Sequence, residues 1–200
     1  MANSNLILAS KSPRRKQLLE WAEVTFTVIS RPTEETFPAG LHIEEIPIYI
    51  AREKANATNQ YLDDAFHKEY SDRTILAADT IVVIDDYILN KPINRNDAIR
   101  MLTMLSGRSH KVITGVVLHT DTEQVAFSEV TEVEFFELTL PQIEFYVDKY
   151  KPYDKAGAYA IQEWIGVVGI KSIRGDFYNV MGLPISRVIR ELELLDAEEV

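Results

Sequence analysis

Cysteine is absent from the 200-residue chain, which excludes disulfide bonds, thiolate zinc sites and a cysteine nucleophile. Long hydrophobic runs are missing too, because apolar stretches such as 75–78 and 81–84 fall far short of the roughly 20 residues that span a bilayer. The N-terminus has no basic segment followed by a long apolar one, so we expect no secretory signal. The sequence therefore predicts a cytoplasmic protein that does not enter a membrane.

An excess of positive charge is also lacking. The chain has 21 basic and 31 acidic side chains, for a net charge of −10, which repels long polyanions and argues against a nucleic-acid polymer as partner. Small anionic substrates remain compatible with this balance where positive charge is concentrated locally. The four histidines show no helical metal-ligand spacing, so we expect no zinc chemistry.

The composition, 46% hydrophobic and 26% charged, is typical of a globular protein, and the length predicts a single domain over residues 1–200. Strand-like and helical patterns alternate along the chain. The strand-like runs are 5–9, 26–29, 75–78, 81–84, 111–119, 125–137 and 167–173. The helical patterns are 13–21, 44–61, 97–105, 141–150 and 184–195. We interpret the polar stretch 61–73 as a connecting loop.

The two longest strand-like runs, 111–119 and 125–137, are separated by only a few residues and predict a hairpin. In the second run Thr131, Val133 and Phe135 alternate with glutamates, as expected for a strand with one buried face. Alternating strands and helices together with a hairpin predict an α/β fold, with a mixed β-sheet flanked by helices.

A basic cluster, Lys11-Ser12-Pro13-Arg14-Arg15-Lys16, follows the first strand of this acidic chain. Ser12 is a good N-cap and Pro13 suits the first helical position, which places both arginines in the first turn. Cations there are disfavoured by roughly 0.3–1 kcal/mol each, because the helix N-terminus is already partly positive. A bound phosphate would offset that cost, and a solvated basic turn is the alternative interpretation.

A single acid interrupts the apolar run 74–84. Burying an ionised carboxylate costs several kcal/mol unless it is paired or binds a metal. Asp79 is therefore either a turn residue between two strands, which is the commoner case, or the acid of an active site at a strand end.

Several other polar residues have both a functional and a structural interpretation. The loop acids Glu34 and Glu35 could share Mg²⁺ with substrate phosphates or be merely exposed. Lys54 and Lys91 could each bind phosphate or be solvated. Gln162 carries amide donors and an acceptor that suit a pyrimidine edge, although a lone glutamine usually lies on the surface.

Taken in order, these segments resemble the Maf family of nucleotide pyrophosphatases, a relative of the inosine-triphosphate pyrophosphatase group. The matching segments are Leu8-Ala9-Ser10-Lys11-Ser12-Pro13-Arg14-Arg15, Ala51-Arg52-Glu53-Lys54-Ala55, Ala78-Asp79-Thr80, Lys91-Pro92, Met101-Leu102-Thr103-Met104-Leu105-Ser106-Gly107, Thr114-Gly115-Val116, Asp154-Lys155-Ala156-Gly157-Ala158-Tyr159, Ile161-Gln162 and Asn179-Val180-Met181-Gly182-Leu183-Pro184. The chain departs from the usual pattern at three positions where glycine is common, Asn90, Ala160 and Glu163.

The resemblance implies an elongated mixed sheet with helices around a substrate cleft, and Asp79 as the catalytic carboxylate that takes a proton from water. It implies a divalent cation, Mg²⁺ or Mn²⁺, bound by Glu35 and Asp79, and a homodimer as a further expectation. The substrate-binding positions that it implies are Ser10, Arg14, Arg15, Lys54, Thr80, Lys91 and Gln162.

Within the family, the motifs around Thr80 and 154–159 are similar to the branch that acts on dTTP and UTP. The expected products are the nucleoside monophosphate and pyrophosphate. Two alternatives stay open: the same chemistry on 7-methyl-GTP, and a non-catalytic nucleotide-binding regulator of septum formation.

Overall fold

A computed structural model describes residues 5–66, 70 and 72–198. Strands and helices alternate along this part of the chain. The strands are β1 (Leu6–Leu8), β2 (Thr27–Val28), β3 (Thr74–Ile84), β4 (Tyr87–Leu89), β5 (Ser109–His119), β6 (Gln124–Phe135) and β7 (Ile170–Arg174). The α-helices are α1 (Pro13–Trp21), α2 (Glu45–Phe66), α3 (Arg95–Leu105), α4 (Leu140–Tyr150), α5 (Trp164–Gly169), α6 (Phe177–Met181) and α7 (Ile185–Glu198), with a short 3₁₀ turn at Ala156–Ala158.

The seven strands form one mixed sheet. Its order is β2-β1-β3-β5-β6-β7, and β4 pairs with β3 off this path. β1 runs parallel to both β2 and β3, whereas the β3–β4 and β6–β7 pairs are antiparallel. The predicted α/β fold with a mixed sheet is therefore confirmed.

The chain divides into two compact units. The first comprises Met1–Asp79, Thr114–Glu129 and Gly182–Val200, and the second comprises Thr80–Ile113 and Val130–Met181. Three strands, β3, β5 and β6, contribute residues to both units. The single domain expected from the chain length stays a prediction.

The core of the first unit forms where α2 packs on β1 and β3. Ala51 and Ala55 lie one helical turn apart and are fully buried with Ile7, Ile75 and Ala77. Small alanine side chains allow the helix to approach the strands closely. This packing fixes the position of Lys54, which lies beside Ala55 at the edge of the buried helical face.

Gly115 explains how β5 passes the start of α2 in the same unit. A Cβ atom built on Gly115 would lie 2.2 Å from the backbone N of Ile48 and 2.3 Å from the carbonyl carbon of Pro47. No side chain fits at that separation, so the glycine of the Thr114-Gly115-Val116 segment is a packing requirement.

The second unit has an aromatic core around β5 and β6. The rings of His110, Phe135 and Tyr159 meet edge to face, with centroids 5.1–5.5 Å apart. Nearby, Gly157 has a φ of +67° and a built Cβ would lie 2.9 Å from Val82, so the 154–159 segment needs glycine there. The small residues of this segment thus serve close packing.

Two sequence interpretations are wrong about the edges of elements. Residues 75–78 and 81–84 are parts of one strand, β3, which continues through Asp79, so Asp79 is not a turn residue. The acid is tolerated inside the strand because Lys54 pairs with it. α2 extends to Phe66, so residues 61–66 of the predicted loop are helical, with Leu62 buried in the core, while 67–69 and 71 lie outside the described residues.

A further correction concerns the predicted strand 167–173. Its first three residues belong to α5, and the strand begins only at Ile170. Val167 is 82% exposed, so its β-branched side chain packs against little and does not decide the backbone conformation. None of the helices in the described ranges has the length and apolar character to cross a membrane.

Candidate active site

The start of α1 brings the basic cluster into a defined geometry. Ser12 is the N-cap, its hydroxyl accepts the backbone N–H of Arg15 at 3.5 Å, and Pro13 occupies the first helical position. Leu18 and Leu19, three and four residues after Arg15, are buried on the same face of this helix. Both predicted arginines therefore lie in the first helical turn, as the sequence indicated.

Arg15 is buried, and its guanidinium donates hydrogen bonds within the protein. Nε donates to the carbonyl of Gly182 at 2.7 Å, and Nη1 donates to the carbonyl of Ala78 at 2.8 Å and to Ser10 Oγ at 3.2 Å. Burial lowers the pKa of Arg15 to about 10, an effect that the charge of Asp79 opposes and that of Arg14 reinforces. The guanidinium therefore stays charged at neutral pH.

Ser10 links the end of β1 to the start of α1. Its buried hydroxyl accepts the backbone N–H of Ser12 at 3.2 Å as well as the hydrogen bond from Arg15. Arg14 is half-buried beside Arg15. Ser10 and Arg15, both predicted to contact substrate, thus lie in direct contact with each other.

A single ammonium group joins the two predicted acids. Lys54 Nζ donates to Asp79 Oδ1 at 2.6 Å and to Glu35 Oε1 at 3.0 Å. The Lys54 and Asp79 side chains are 15% and 12% exposed, whereas Glu35 is 44% exposed on the loop before α2. The three residues come from a helix, a strand and a loop, so the structure assembles a predicted acid, its predicted metal partner and a predicted phosphate ligand in one place.

The chain has relatives among known proteins. Residues 5–195 match the family described as Maf-like protein. The chain belongs to the Maf family. A Cytophaga hutchinsonii protein named dTTP/UTP pyrophosphatase is 48% identical over 191 residues, which cover 96% of this chain and 84% of that protein. A Phocaeicola vulgatus protein of the same name is 49% identical over 191 residues, which cover 95% of each chain.

Among solved structures, the Staphylococcus aureus Ham1 protein matches 66% of this chain and 71% of its own, with a TM-score of 0.44 and 14% identity. That likeness is too weak to support a conclusion. The Maf assignment therefore depends on the family match and on the sequence relatives.

The remaining predicted site residues, Thr80, Lys91 and Gln162, belong to the second unit. Thr80 follows Asp79 in β3 and is half-buried. Lys91 is exposed directly after β4, and Gln162 is exposed between the 3₁₀ turn and α5. Their predicted contacts with substrate stay predictions.

Sequence reasoning missed two groups that contact the site residues, and both are backbone carbonyls. Ala78 and Gly182 accept hydrogen bonds from Nη1 and Nε of Arg15. Gly182 has a φ of +117°, which favours glycine and suggests why the 179–184 motif contains one. Side-chain chemistry gives no signal for carbonyl acceptors, although the motif itself marked the segment.

One departure from the usual Maf pattern acquires a structural role. Glu163 replaces a glycine and accepts a hydrogen bond from the Tyr146 hydroxyl, while Lys155 Nζ lies 3.6 Å from its carboxylate. The Tyr146 hydroxyl also accepts the backbone N–H of Ala160 at 3.1 Å. This small network orders the backbone on both sides of Gln162.

The donor set of the site fits a magnesium-like cation. Over residues 5–66, 70 and 72–198, no three acidic or histidine side chains converge as a complete metal site. Mg²⁺ is normally held by one or two carboxylates together with substrate phosphates and water, so a pair of carboxylates suffices. Glu35 and Asp79, which already share one cation, provide such a pair.

Proposed function

We propose that this chain hydrolyses dTTP and UTP to the nucleoside monophosphate and pyrophosphate. The shared name of relatives that are 48–49% identical over nearly the whole chain supports this substrate choice. The observation that carries the chemistry is the placement of Asp79, whose side chain is only 12% exposed inside an apolar strand and is held by Lys54. An acid in such a position is oriented by its surroundings and shielded from bulk water.

In the proposed reaction, water attacks the α-phosphorus in line while Asp79 accepts a proton from that water. A bond forms between the water oxygen and the α-phosphorus, the bond to the bridging oxygen of the β-phosphate breaks, and pyrophosphate leaves. Catalysis of phosphoryl transfer depends mainly on positioning and charge stabilisation. The site supports both, since Arg15 and Lys54 carry positive charge close to Asp79 and Arg14 lies beside Arg15.

The proposed substrate contacts follow from the chemistry of each side chain. Arg14, Lys54 and Lys91 hold the triphosphate, and Ser10 and Thr80 offer hydroxyl groups. Gln162 pairs with the pyrimidine edge. A direct phosphate contact by Arg15 has less support, because its Nε and Nη1 groups already donate to protein acceptors.

Glu35 and Asp79 would hold the divalent cation, Mg²⁺ or Mn²⁺. When bound, such an ion neutralises charge on the phosphate oxygens and favours departure of pyrophosphate. A cytoplasmic location, where nucleoside triphosphates are abundant, and a homodimeric state remain parts of this proposal.

The central test is Asp79→Asn, which keeps the shape of the side chain and removes the proton acceptor. We expect pyrophosphate release from dTTP and UTP to fall below detection, while the dissociation constant of the nucleotide stays within a few-fold of the wild type. Asp85→Asn is the matched control. Asp85 is an exposed acid in the turn after β3, and its φ of +47° suits asparagine, so this variant should turn over at the wild-type rate.

A panel of dTTP, UTP, dATP and 7-methyl-GTP, each assayed with Mg²⁺ and with Mn²⁺, tests the substrate choice. We expect the two pyrimidine nucleotides to have the highest kcat/KM. A higher kcat/KM for 7-methyl-GTP would overturn the proposed choice of dTTP and UTP but would leave the proposed hydrolysis to pyrophosphate intact. Tight binding of dTTP without turnover under any of these conditions would contradict catalysis.

A further inference from the structure

The ammonium of Lys54 bonds both of the carboxylates that would hold the proposed metal. It bonds Asp79 Oδ1 at 2.6 Å and Glu35 Oε1 at 3.0 Å, so it uses lone pairs on both acids at once. The same side chain is a proposed phosphate ligand. Lys54 therefore has two sets of anionic partners that it cannot satisfy equally.

A divalent cation and the ammonium compete for these oxygens. Two cations close to each other repel strongly in a partly buried site, where the local dielectric constant is far below that of water. Mg²⁺ also gives up its own water ligands reluctantly, so it enters readily only where free carboxylate oxygens and phosphates await it. While Lys54 bonds both acids, one oxygen of each carboxylate is already engaged by a cation.

We propose that Lys54 is an internal counterion that excludes the divalent cation until substrate phosphates draw its ammonium away. This inference builds on the proposed function. Nucleotide binding would then free Glu35 and Asp79 for the metal, so nucleotide and metal bind with positive coupling. By linkage the coupling is reciprocal, and bound metal tightens nucleotide binding by the same factor.

The surroundings of Lys54 suit such an exchange. Its helix is anchored by Ala51 and Ala55, which are fully buried, so the backbone stays in place when the side chain turns. The flexible four-carbon stem lets the ammonium move between partners without moving α2. Glu35, on an exposed loop, can follow either cation.

The experiment measures Mn²⁺ binding without nucleotide, using the electron paramagnetic resonance signal of free Mn²⁺. Lys54→Gln should bind Mn²⁺ about tenfold more tightly than the wild type, because a nearby positive charge is removed and both carboxylates are released. Arg52→Gln is the matched control. It removes one positive charge from the same helix, but Arg52 is exposed and bonded to Gln124, so Mn²⁺ affinity should stay within about twofold.

Coupling is then measured with the α,β-imido analogue of dTTP, after subtracting the Mn²⁺ that the analogue binds without protein. The analogue should tighten Mn²⁺ binding by the wild type, and this tightening should be largely lost in Lys54→Gln. Lys54→Arg, which keeps a cation, should retain weak Mn²⁺ binding without nucleotide.

Equal or weaker Mn²⁺ binding by folded Lys54→Gln would overturn the proposal. If circular dichroism shows that Lys54→Gln does not fold, Lys54→Met replaces it. The wild type and Lys54→Arg, each measured with and without the analogue, also test whether nucleotide tightens Mn²⁺ binding. The proposed function fails separately, when the wild type releases no pyrophosphate from dTTP or UTP. The two failures are therefore distinguishable.

Discussion

Arg15 Nη1 donates a 2.8 Å hydrogen bond to the carbonyl of Ala78, the residue directly before Asp79. Through Nε the same guanidinium binds the carbonyl of Gly182, which is distant in sequence. One buried side chain thus fixes the backbone beside the proposed catalytic acid and ties it to the segment that precedes α7. This geometry favours a role for Arg15 in positioning Asp79.

Replacement of Arg15 by methionine should therefore reduce both stability and turnover. The carbonyls of Ala78 and Gly182 each lose a hydrogen bond from a charged donor, and such a bond contributes about 1.5–3 kcal/mol. We expect a lower urea midpoint and a fall in kcat for dTTP that exceeds the rise in KM. Arg15→Lys should restore only part of kcat, because an ammonium cannot reproduce the planar fork. A rise confined to KM would instead indicate a direct phosphate contact.

Gly115→Ala tests the close approach of β5 to α2. The added methyl group would meet the backbone of Ile48 at 2.2 Å, and backbone cannot turn aside as a flexible side chain can. We expect a loss of at least about 3 kcal/mol in the free energy of unfolding, at or beyond the upper end of overpacking costs. Gly40→Ala is the comparison, since its Cβ meets nothing within 4 Å and only its φ of +91° opposes alanine. Similar losses for the two variants would contradict the packing argument.

His110 should make the stability of the fold depend on pH. It is 2% exposed, its Nε2 lies 2.7 Å from the Tyr159 hydroxyl, and burial lowers its pKa to about 3. The unfolded chain binds this proton near pH 6.5 and the folded chain does not, so stability falls as pH decreases from about 6.5 towards 3. The loss is up to about 1.4 kcal/mol per pH unit within that window.

Urea unfolding at pH 7, 6 and 5 measures this effect. His110→Gln lacks the titrating ring, so its loss of stability between pH 7 and 5 should be smaller than that of the wild type by about 2 kcal/mol. The variant can be less stable at every pH, since it disturbs the contact with Tyr159. Parallel stability curves for the two proteins would contradict the assignment.

Local signals in the sequence predicted the secondary structure correctly where capping residues determine where a helix begins. Ser12 and Pro13 predicted the start of α1, where Ser12 is the N-cap and Pro13 is the first helical residue. The alternation in β6 was also confirmed, with Thr131, Val133 and Phe135 buried. Each of these features depends on residues within a few positions of one another.

The errors arose where distant residues decided the conformation. Asp79 suggested a break in β3 because the cost of a buried carboxylate is visible in the sequence, whereas its pairing with Lys54 is not. Val167 and Val168 of α5 suggested a strand because they are β-branched, and the sequence does not show that both side chains are exposed. At Asp79 a contact with a residue distant in sequence overrides the local signal, whereas in α5 the valines lack the packing that favours a strand.

The candidate site was predicted in part. The resemblance named Lys54, Glu35 and Asp79 individually, but only the structure shows that a single ammonium bonds both acids. The partners of Arg15 were not predictable because they are carbonyl groups, which every residue carries. The sequence motifs therefore predicted which residues belong to the site, but they did not predict how those residues are arranged relative to one another.

The loop acids Glu34 and Glu35 provide the last prediction. The resemblance implies Glu35 as the metal ligand, and in the structure Glu35 is bonded to Lys54 beside Asp79. Loss of one carboxylate ligand should weaken the cation site, so Glu35→Gln should raise the Mg²⁺ concentration for half-maximal pyrophosphate release about tenfold, equivalent to about 1.4 kcal/mol. Glu34→Gln removes the same charge one residue away and should change that concentration by less than about threefold, as expected for screened, exposed charges. If the two variants shift the metal requirement equally, the effect is general electrostatics and Glu35 is not a ligand.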